Sequence, residues 1–313
     1  MTTTVPLIYS FHEFLGVADA VADHVISAQN LALYETLDKV QIAEKKHEQR
    51  KRSLIAESTS TTSINGNGKI KKEKKKKAEA RFKIALSGGS LIKILNQGLM
   101  SRQQEIEWDK WDIYFADERL VPFESNESNY GQAKRMIFDL IEGDLKPNVY
   151  HIDESLISDP QECADNYEKL LIGNFAKKDS VKLPMFDLLL LGCAPDGHIA
   201  SLFPKHGESL REKLAWCIPV LNAPSGPPNR ISLSIPVICH AHRVTFVVEG
   251  LTKAPIMHII MERPEKGLPS SIVNEGAAGR VTWFVDDDAL KDCYDVTKKK
   301  YKFLSIKAPP DSH

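Results

Sequence analysis

The chain reads LLLLGCAPDGHIASLFP from Leu188 to Pro204. The apolar run at its start is typical of a buried strand, and at Gly192 it gives way to a turn rich in small residues. Asp196 and His198 follow this turn, where a new amphipathic segment begins. Ligands of open parallel α/β sheets bind just outside the carboxyl ends of the strands. These two titratable side chains are therefore candidates for a functional site.

Strand-like and helix-like segments alternate on both sides of this stretch. The first helical pattern starts near Phe11, where apolar residues recur at spacings of three and four. Predicted strands follow at about 81–86, 111–116, 186–191, 230–235, 244–248 and 281–285, and further helical patterns at about 91–100, 125–141, after Pro160 and at 253–261. This order predicts one α/β domain over residues 1–313, built on a mostly parallel sheet with helices on both faces.

Composition indicates an ordinary globular protein in a reducing compartment. The 313 residues are 42% hydrophobic and 27% charged, with a net charge of -1. Five cysteines are scattered without metal-ligand spacing, and their odd number argues against a disulfide framework. No apolar stretch approaches the roughly 20 residues that span a bilayer, and the N-terminus lacks the pattern of a signal peptide. We expect a cytoplasmic protein without membrane contact.

Residues from about 41 to 80 differ in composition from the rest of the chain. They contain twelve Lys or Arg against five Glu, a net charge of +7, with Ser, Thr, Asn and Gly between the basic clusters. We expect a disordered insertion, since this composition cannot form a core. Nuclear targeting and weak RNA contact are alternative roles, although the segment has no aromatic residue for base stacking. The tail at about 307–313 is also expected to be frayed.

Two more predicted strands are followed by motifs whose residues could bind a ligand. The SGGS motif at 87–90 stands between a strand and a helix, an arrangement that suits an anion because backbone N–H groups and the helix dipole can face it. A tight turn without a ligand is the alternative. The DER motif at 117–119 follows the next strand. Either Asp117 caps a turn and Arg119 pairs with an acidic neighbour, or Arg119 binds an oxyanion or a phosphate.

Six short motifs follow one another along the chain. They are SGGS at 87–90, ADERLVP at 116–122, SNYG at 128–131, GCAPDGHIASLFP at 192–204, PNRIS at 228–232 and GLTKA at 250–254. Together they resemble the 6-phosphogluconolactonase family, which also holds the glucosamine-6-phosphate isomerases and deaminases. The likeness covers nearly the whole chain outside residues 41–80. It implies a three-layer α/β/α fold with a Rossmann-like, mostly parallel sheet, and a sugar-phosphate site that needs no cofactor, metal or nucleotide.

One position distinguishes two chemistries within this family. The isomerase pattern is DGHIAFNEP, whose Glu takes part in ring opening, whereas the lactonase pattern is DGHTASLFP. This chain reads DGHIASLFP at 196–204, so Phe203 stands where isomerases have the Glu. An apolar ring cannot move a proton. The resemblance therefore implies a lactonase, which hydrolyses 6-phospho-D-glucono-1,5-lactone to 6-phosphogluconate in the oxidative pentose phosphate pathway.

The resemblance also implies roles for particular residues. His198 is the general base that activates water, with Asp196 and Asp117 shaping the site and orienting the imidazole. The other predicted site residues hold the 6-phosphate and the sugar; they are the backbone of Gly88, Gly89 and Ser90, and the side chains of Arg119, Arg230 and Lys253.

Several motif positions depart from the lactonase pattern. Leu91-Ile92 replaces the usual Thr-Pro after SGGS, Cys193-Ala194 replaces Met-Gly, and Ile199 replaces Thr. These departures support an alternative interpretation, a lactonase-like protein with weak or no catalysis. In that interpretation the chain acts in nuclear or tRNA export through the basic residues 41–80, and it is found in the nucleus as well as in the cytoplasm.

Overall fold

The computed structural model describes residues 6–35, 80–176 and 182–304. Its strands are β1 (Leu7–Phe11), β2 (Phe82–Leu86), β3 (Trp111–Phe115), β4 (Asp117–Arg119), β5 (Asn148–Val149), β6 (Leu188–Leu191), β7 (Cys217–Val220), β8 (Arg230–Leu233), β9 (Val244–Val248), β10 (Val281–Asp286) and β11 (Lys298–Lys299). Its α-helices are α1 (Phe14–Asn30), α2 (Ser90–Met100), α3 (Asn129–Met136), α4 (Pro160–Phe175), α5 (Gly207–Arg211), α6 (Ile235–His240), α7 (Ala254–Glu262) and α8 (Pro269–Gly276). A π-helical turn, Leu31–Glu35, continues α1.

An eight-stranded parallel sheet forms the centre of the fold. The strand order is β11-β1-β10-β9-β6-β2-β3-β5, and the neighbouring strands are paired in parallel. The order along the chain reverses at β2, because β3 and β5 lie on one side of it and β6 lies on the other. Ligands of such sheets bind at this reversal, outside the carboxyl ends of the strands.

Strand residues alternate between the two faces of the sheet, and each face has its own apolar core. Phe284 of β10 belongs to a core that contains Val21 of α1 and Leu95 of α2. Its neighbour Trp283 belongs to the core on the other face, together with residues of α4, α6, α7 and α8 such as Met257. The predicted three-layer α/β/α fold is confirmed.

A smaller antiparallel sheet, in the order β4-β8-β7, accompanies the parallel sheet. The sequence pattern predicts residues 230–235 as one more strand of the alternating series, but β8 pairs antiparallel with β4, with Arg119 opposite Arg230. β8 also pairs antiparallel with β7, and the connection explains this pair, since residues 221–229 join β7 to β8 without an α-helix. Parallel strands need a longer crossover, so a short connection produces an antiparallel pair.

The predicted insertion at about 41–80 and the predicted frayed tail at about 307–313 lie outside the described residues, apart from Ala80. The chain on both sides of the insertion is described. Gln29, near the end of α1, accepts a hydrogen bond from Nε1 of Trp111, the first residue of β3, and Ala80 precedes β2. Both ends therefore meet the amino-terminal edge of the sheet. None of the helices in the described ranges has the length and apolar character to cross a membrane.

Candidate functional site

A cavity of about 180 Å³ opens at the carboxyl ends of the central strands. The segments that follow β2, β3, β6 and β9 all contribute to it, as expected where the strand order reverses. Its lining consists of Ser87, Gly88, Gly89, Ser90, Asp117, Arg119, Gly192, Cys193, Ala194, His198, Ala200 and Lys253. The structure thus brings most of the predicted site residues together. Asp196 and Arg230 are not part of the lining.

His198 is held by the aspartate two residues before it. Its Nδ1 lies 2.6 Å from Asp196 Oδ1, and its backbone N–H donates to the same oxygen at 3.2 Å. Gly197 permits this tight turn, since its φ of +87° is one that other residues rarely adopt. Because Nδ1 bonds to a carboxylate, we place the ring proton on Nδ1. Nε2 is then the nitrogen that can accept a proton.

Burial keeps the imidazole of His198 in its neutral form near pH 7. It lowers the pKa of His198 below the ordinary value of 6.5, and the charge of Asp196 opposes this effect only in part. A neutral imidazole is the form that accepts a proton. His198 therefore has the protonation state that a general base requires.

The ring of Phe203 packs between the imidazole of His198 and the guanidinium of the buried Arg230. The two ring centroids of Phe203 and His198 are 4.4 Å apart, and the guanidinium carbon of Arg230 lies 5.3 Å from the centroid of Phe203. Arg230 is only 2% exposed, and its guanidinium donates to the backbone carbonyls of Ser225 and Pro227. These carbonyls hold Arg230 behind Phe203 and outside the cavity lining, whereas the resemblance implies a contact with the sugar phosphate.

Asp117 is fixed from two directions. Its Oδ2 accepts a hydrogen bond from Ser201 Oγ at 2.8 Å, and its carbonyl accepts one from Asn129 Nδ2 at 2.9 Å. Asp117 Oδ1 is buried without a hydrogen-bond partner among the described residues, so a ligand hydroxyl can donate to it. Sequence reasoning missed Ser201 and Asn129. The only available signal was their presence in the SLFP and SNYG motifs.

Glu118 attaches the DER motif to helix α3. It is 1% exposed, and its carboxylate accepts hydrogen bonds from the backbone N–H groups of Arg119, Asn129 and Tyr130 at 2.7 to 2.8 Å. Burial raises the pKa of Glu118 to about 7, although these N–H groups lower it. Glu118 thus satisfies the first N–H groups of α3, whereas the sequence alternative makes Asp117 the cap of the turn that follows it.

Arg119 contacts an acidic neighbour and also reaches the cavity. Its Nη1 donates to the carbonyl of Glu127 at 2.6 Å and lies 3.6 Å from Glu127 Oε2. The predicted ion pair is therefore present. Arg119 lines the cavity as well, and its Nε is buried without a partner among the described residues. That nitrogen is a donor for an anionic ligand.

The SGGS motif places the start of a helix at the cavity. Gly88, Gly89 and Ser90 lie at the amino end of the 11-residue helix α2, where backbone N–H groups and the helix dipole favour an anion. Lys253 lines the same cavity, and burial lowers the pKa of its ammonium group. Within residues 6–35, 80–176 and 182–304, no group of three or more His, Cys, Asp or Glu side chains could hold a metal ion. The arrangement is suited to a small anion.

The departures from the lactonase pattern fall into two groups. The side chains of Leu91 and Ile199 are 0% exposed in the apolar cores and do not line the cavity. Cys193 and Ala194 do line it. Ala194 is not among the residues with positive φ, so its methyl group adds no backbone strain. Burial raises the pKa of Cys193 to about 12, so its thiol stays protonated.

Gly88 lies so close to Asn129 that a larger residue must displace the Asn129 side chain. A Cβ atom built on Gly88 would lie 1.7 Å from Asn129 Oδ1. We expect Gly88→Ala to lower the free energy of unfolding by about 1–3 kcal/mol, the usual cost of overpacking a buried contact. Chemical denaturation of Gly88→Ala, Asn129→Ala and the double variant measures it. The clash predicts a much smaller cost of Gly88→Ala in the Asn129→Ala background, and equal costs in both backgrounds would contradict it.

Comparison with known proteins finds relatives that match nearly the whole length of this chain. The family described as glucosamine-6-phosphate isomerases/6-phosphogluconolactonase matches residues 65–283. The 6-phosphogluconolactonase-like protein 1 of Saccharomyces cerevisiae is 67% identical over 317 residues, which cover 97% of this chain and 98% of that protein. The probable 6-phosphogluconolactonase of Schizosaccharomyces pombe is 47% identical over 212 residues, 66% of this chain and 82% of that protein. The structure of 6-phosphogluconolactonase from Trypanosoma brucei shares the fold, with a TM-score of 0.65, 21% identity and coverage of 93% of this chain and 100% of that chain.

Proposed function

The chain belongs to the family of glucosamine-6-phosphate isomerases and 6-phosphogluconolactonases, and on this premise we propose that it hydrolyses 6-phospho-D-glucono-1,5-lactone to 6-phosphogluconate. The observation that carries the proposal is the hydrogen-bonded pair of His198 and Asp196 at a cavity that also presents Arg119 and Lys253. Phe203, buried and apolar, occupies the position of the isomerase Glu. This residue favours the lactonase chemistry over the isomerase chemistry.

The proposed reaction needs a base, positive charge for an oxyanion and an anchor for the phosphate. His198 Nε2 takes a proton from water while the water oxygen attacks the lactone carbonyl carbon, and Asp196 stabilises the resulting imidazolium. Arg119 and Lys253 supply positive charge to the oxyanion and to the phosphate, which the start of α2 also binds. When the bond from the carbonyl carbon to the ring oxygen breaks, His198 returns the proton to that oxygen.

A direct assay tests the proposed function. Purified chain is mixed with freshly made 6-phosphogluconolactone, and the appearance of 6-phosphogluconate is followed by a coupled dehydrogenase. We expect product to form faster than by spontaneous hydrolysis, in proportion to protein concentration. A folded sample that does not exceed the spontaneous rate would refute the proposal. Release of ammonia from glucosamine 6-phosphate should stay at background, because Phe203 cannot transfer a proton.

The pH dependence of kcat/KM reports the pKa of His198, the proposed general base. This parameter requires neutral His198 and falls as pH drops through its pKa, which burial places below 6.5. We therefore expect activity to persist at pH values where an ordinary histidine would already be protonated. The charge of Arg230 contributes to the low pKa of His198. Arg230→Met is thus expected to move the acid limb of the profile to higher pH.

Arg230→Lys is the matched control for this measurement, since it keeps a positive charge behind Phe203. Its acid limb should stay close to that of the parent protein. The phosphate of the substrate also titrates, with a pKa of about 6. The comparison between variants removes this contribution, because the substrate is the same in each profile. An acid limb that is identical in Arg230→Met and the parent would contradict the proposed role of Arg230.

We also propose a second role for the basic segment at about 41–80, which is contact with RNA or with the nuclear import machinery. The protein would then be found in the nucleus as well as in the cytoplasm. The net charge of +7 on the segment supports this, as does its attachment to the sheet edge away from His198. Fluorescence anisotropy with a labelled RNA, over a range of salt concentrations, compares the full chain with a variant lacking residues 41–79. Loss of salt-sensitive binding in the variant, with its lactonase rate unchanged, is the expected result. Equal RNA binding by both proteins would dismiss the role.

A further inference from the structure

A second cavity lies at the amino-terminal edge of the sheet. Its volume is about 390 Å³, and it is lined by Pro6, Leu7, His24, His242, Arg243, Asn274, Gly279, Arg280, Val281 and Thr282. We call it the basic cavity. Strands β1, β9 and β10 begin here, whereas the cavity of His198 lies where the central strands end. A strand of five residues such as β9 separates the two edges by about 16 Å.

The polar side chains that line the basic cavity are mainly hydrogen-bond donors. Arg243 is half-buried, and its side chain makes no hydrogen bond or ion pair within the described part of the chain. Arg280 donates to the backbone carbonyls of Ala241 and Cys239 through its two terminal nitrogens, so most of its guanidinium is occupied. Asn274 is 8% exposed, and its Oδ1 accepts a hydrogen bond from Trp283 Nε1 at 3.0 Å. The remaining amide nitrogen of Asn274 is a donor as well.

The positive charge of this cavity is not balanced by its own lining. Arg243 and Arg280 line it, and no Asp or Glu among the described residues does. Asp187 interacts with Arg243 from outside the lining, and its Oδ2 accepts a hydrogen bond from a backbone N–H at 2.8 Å. His24 responds to the same charge, because burial and then Arg243 lower the pKa of His24 to about 4. His24 is therefore neutral at pH 7 and leaves a net positive cavity.

We propose that the basic cavity binds a small phosphorylated metabolite through its phosphate group. The guanidinium of Arg243 can match two phosphate oxygens with its planar fork, and Asn274 and Thr282 add neutral donors for the third oxygen. The volume falls within the range of about 300–1,000 Å³ that is typical of small-molecule sites. No residue of the described ranges lines both cavities, so the inference goes beyond the proposed hydrolysis and does not depend on it. The bound molecule is a second ligand that does not touch the reacting atoms.

A site-resolved titration tests this proposal. In ¹H–¹⁵N correlation spectra of the labelled full chain, inorganic phosphate and glycerol 3-phosphate are expected to shift the amides of Gly279 and Thr282 in a saturable manner. Arg243→Gln should weaken this binding by roughly 10-fold or more, the loss expected for one charge-assisted contact. The variant should retain its fold, because the described structure gives the Arg243 side chain no hydrogen bond to lose.

Arg263→Gln is the matched control. Arg263 is exposed and lines neither cavity, so the same change of charge there should leave binding unaltered. The amides of Gly89 and Ser90 report the cavity of His198 in the same spectra, so failure at one cavity is distinguishable from failure at the other. Three results would overturn the proposal: shifts at Gly279 and Thr282 that do not saturate, that equal ionic strength of sodium chloride reproduces, or that survive Arg243→Gln.

Discussion

His198→Ala is expected to lower kcat for lactone hydrolysis by about 10²- to 10⁴-fold, the usual contribution of a positioned general base. In the proposed mechanism the variant loses the nitrogen that accepts the proton from water, whereas the start of α2, Arg119 and Lys253 still line the cavity and can bind the substrate. KM should therefore change much less than kcat. Initial rates over a range of substrate concentrations, corrected for spontaneous hydrolysis, measure both parameters.

His206→Ala serves as the control for this variant. The His206 ring also packs against Phe203, at a centroid distance of 5.3 Å, but it does not line the cavity. Its loss should leave kcat within about twofold. Asp196→Asn provides a second, intermediate case, because it weakens the orientation of the imidazole without removing the base. Residual activity in His198→Ala equal to that of the parent would show that another group activates the water.

Glu118→Ala is expected to lower the free energy of unfolding by at least about 1–3 kcal/mol, the cost of leaving a buried hydrogen-bond donor without its acceptor. The change leaves the N–H groups of Arg119, Asn129 and Tyr130 without their acceptor in a buried position. It also releases the DER motif from α3. We therefore expect a loss of lactonase activity even under conditions where the variant is folded.

Urea denaturation followed by circular dichroism measures this stability. Glu124→Ala is the matched control, since Glu124 is exposed and lies in the same connection between β4 and α3. Its effect should stay within about 0.5 kcal/mol, as for most surface substitutions. Glu118→Gln should fall between the two variants, because it keeps one acceptor oxygen. A Glu118→Ala protein as stable as Glu124→Ala would contradict the prediction, because it would mean that water replaces Glu118 as the acceptor for these N–H groups.

The sequence was sufficient to predict the parallel sheet and most of the cavity. Runs such as 188–191 are apolar over their whole length because both faces of the strand are covered, and such strands are recognisable without a structure. The carboxyl ends of adjacent parallel strands meet at one edge. Polar motifs that follow these strands, such as SGGS and DER, are therefore brought together by the topology.

The antiparallel sheet and the contacts that hold the side chains of the cavity in place could not be predicted in this way. The strand register that places Arg119 opposite Arg230 depends on the course of the chain between β4 and β8, which local sequence patterns do not determine. The same course decides that Arg230 lies behind Phe203 and that Ser201 donates to Asp117. Leu91 and Ile199 show the converse, since both belong to motifs but have their side chains in the cores.

The first described part of the chain ends at Glu35, the last residue of the π-helical turn after α1, and the next begins at Ala80, two residues before β2, both at the edge of the sheet away from His198. Insertions or charge changes between these two positions start from the edge opposite to the cavity of His198, and doubling the length of a flexible loop costs only about 0.6 kcal/mol of closure entropy. Gene copies of such a protein are free to diverge in two directions. The proposed chemistry of the His198 cavity and the proposed partner of the basic segment are therefore separable properties, and either one can change without the other.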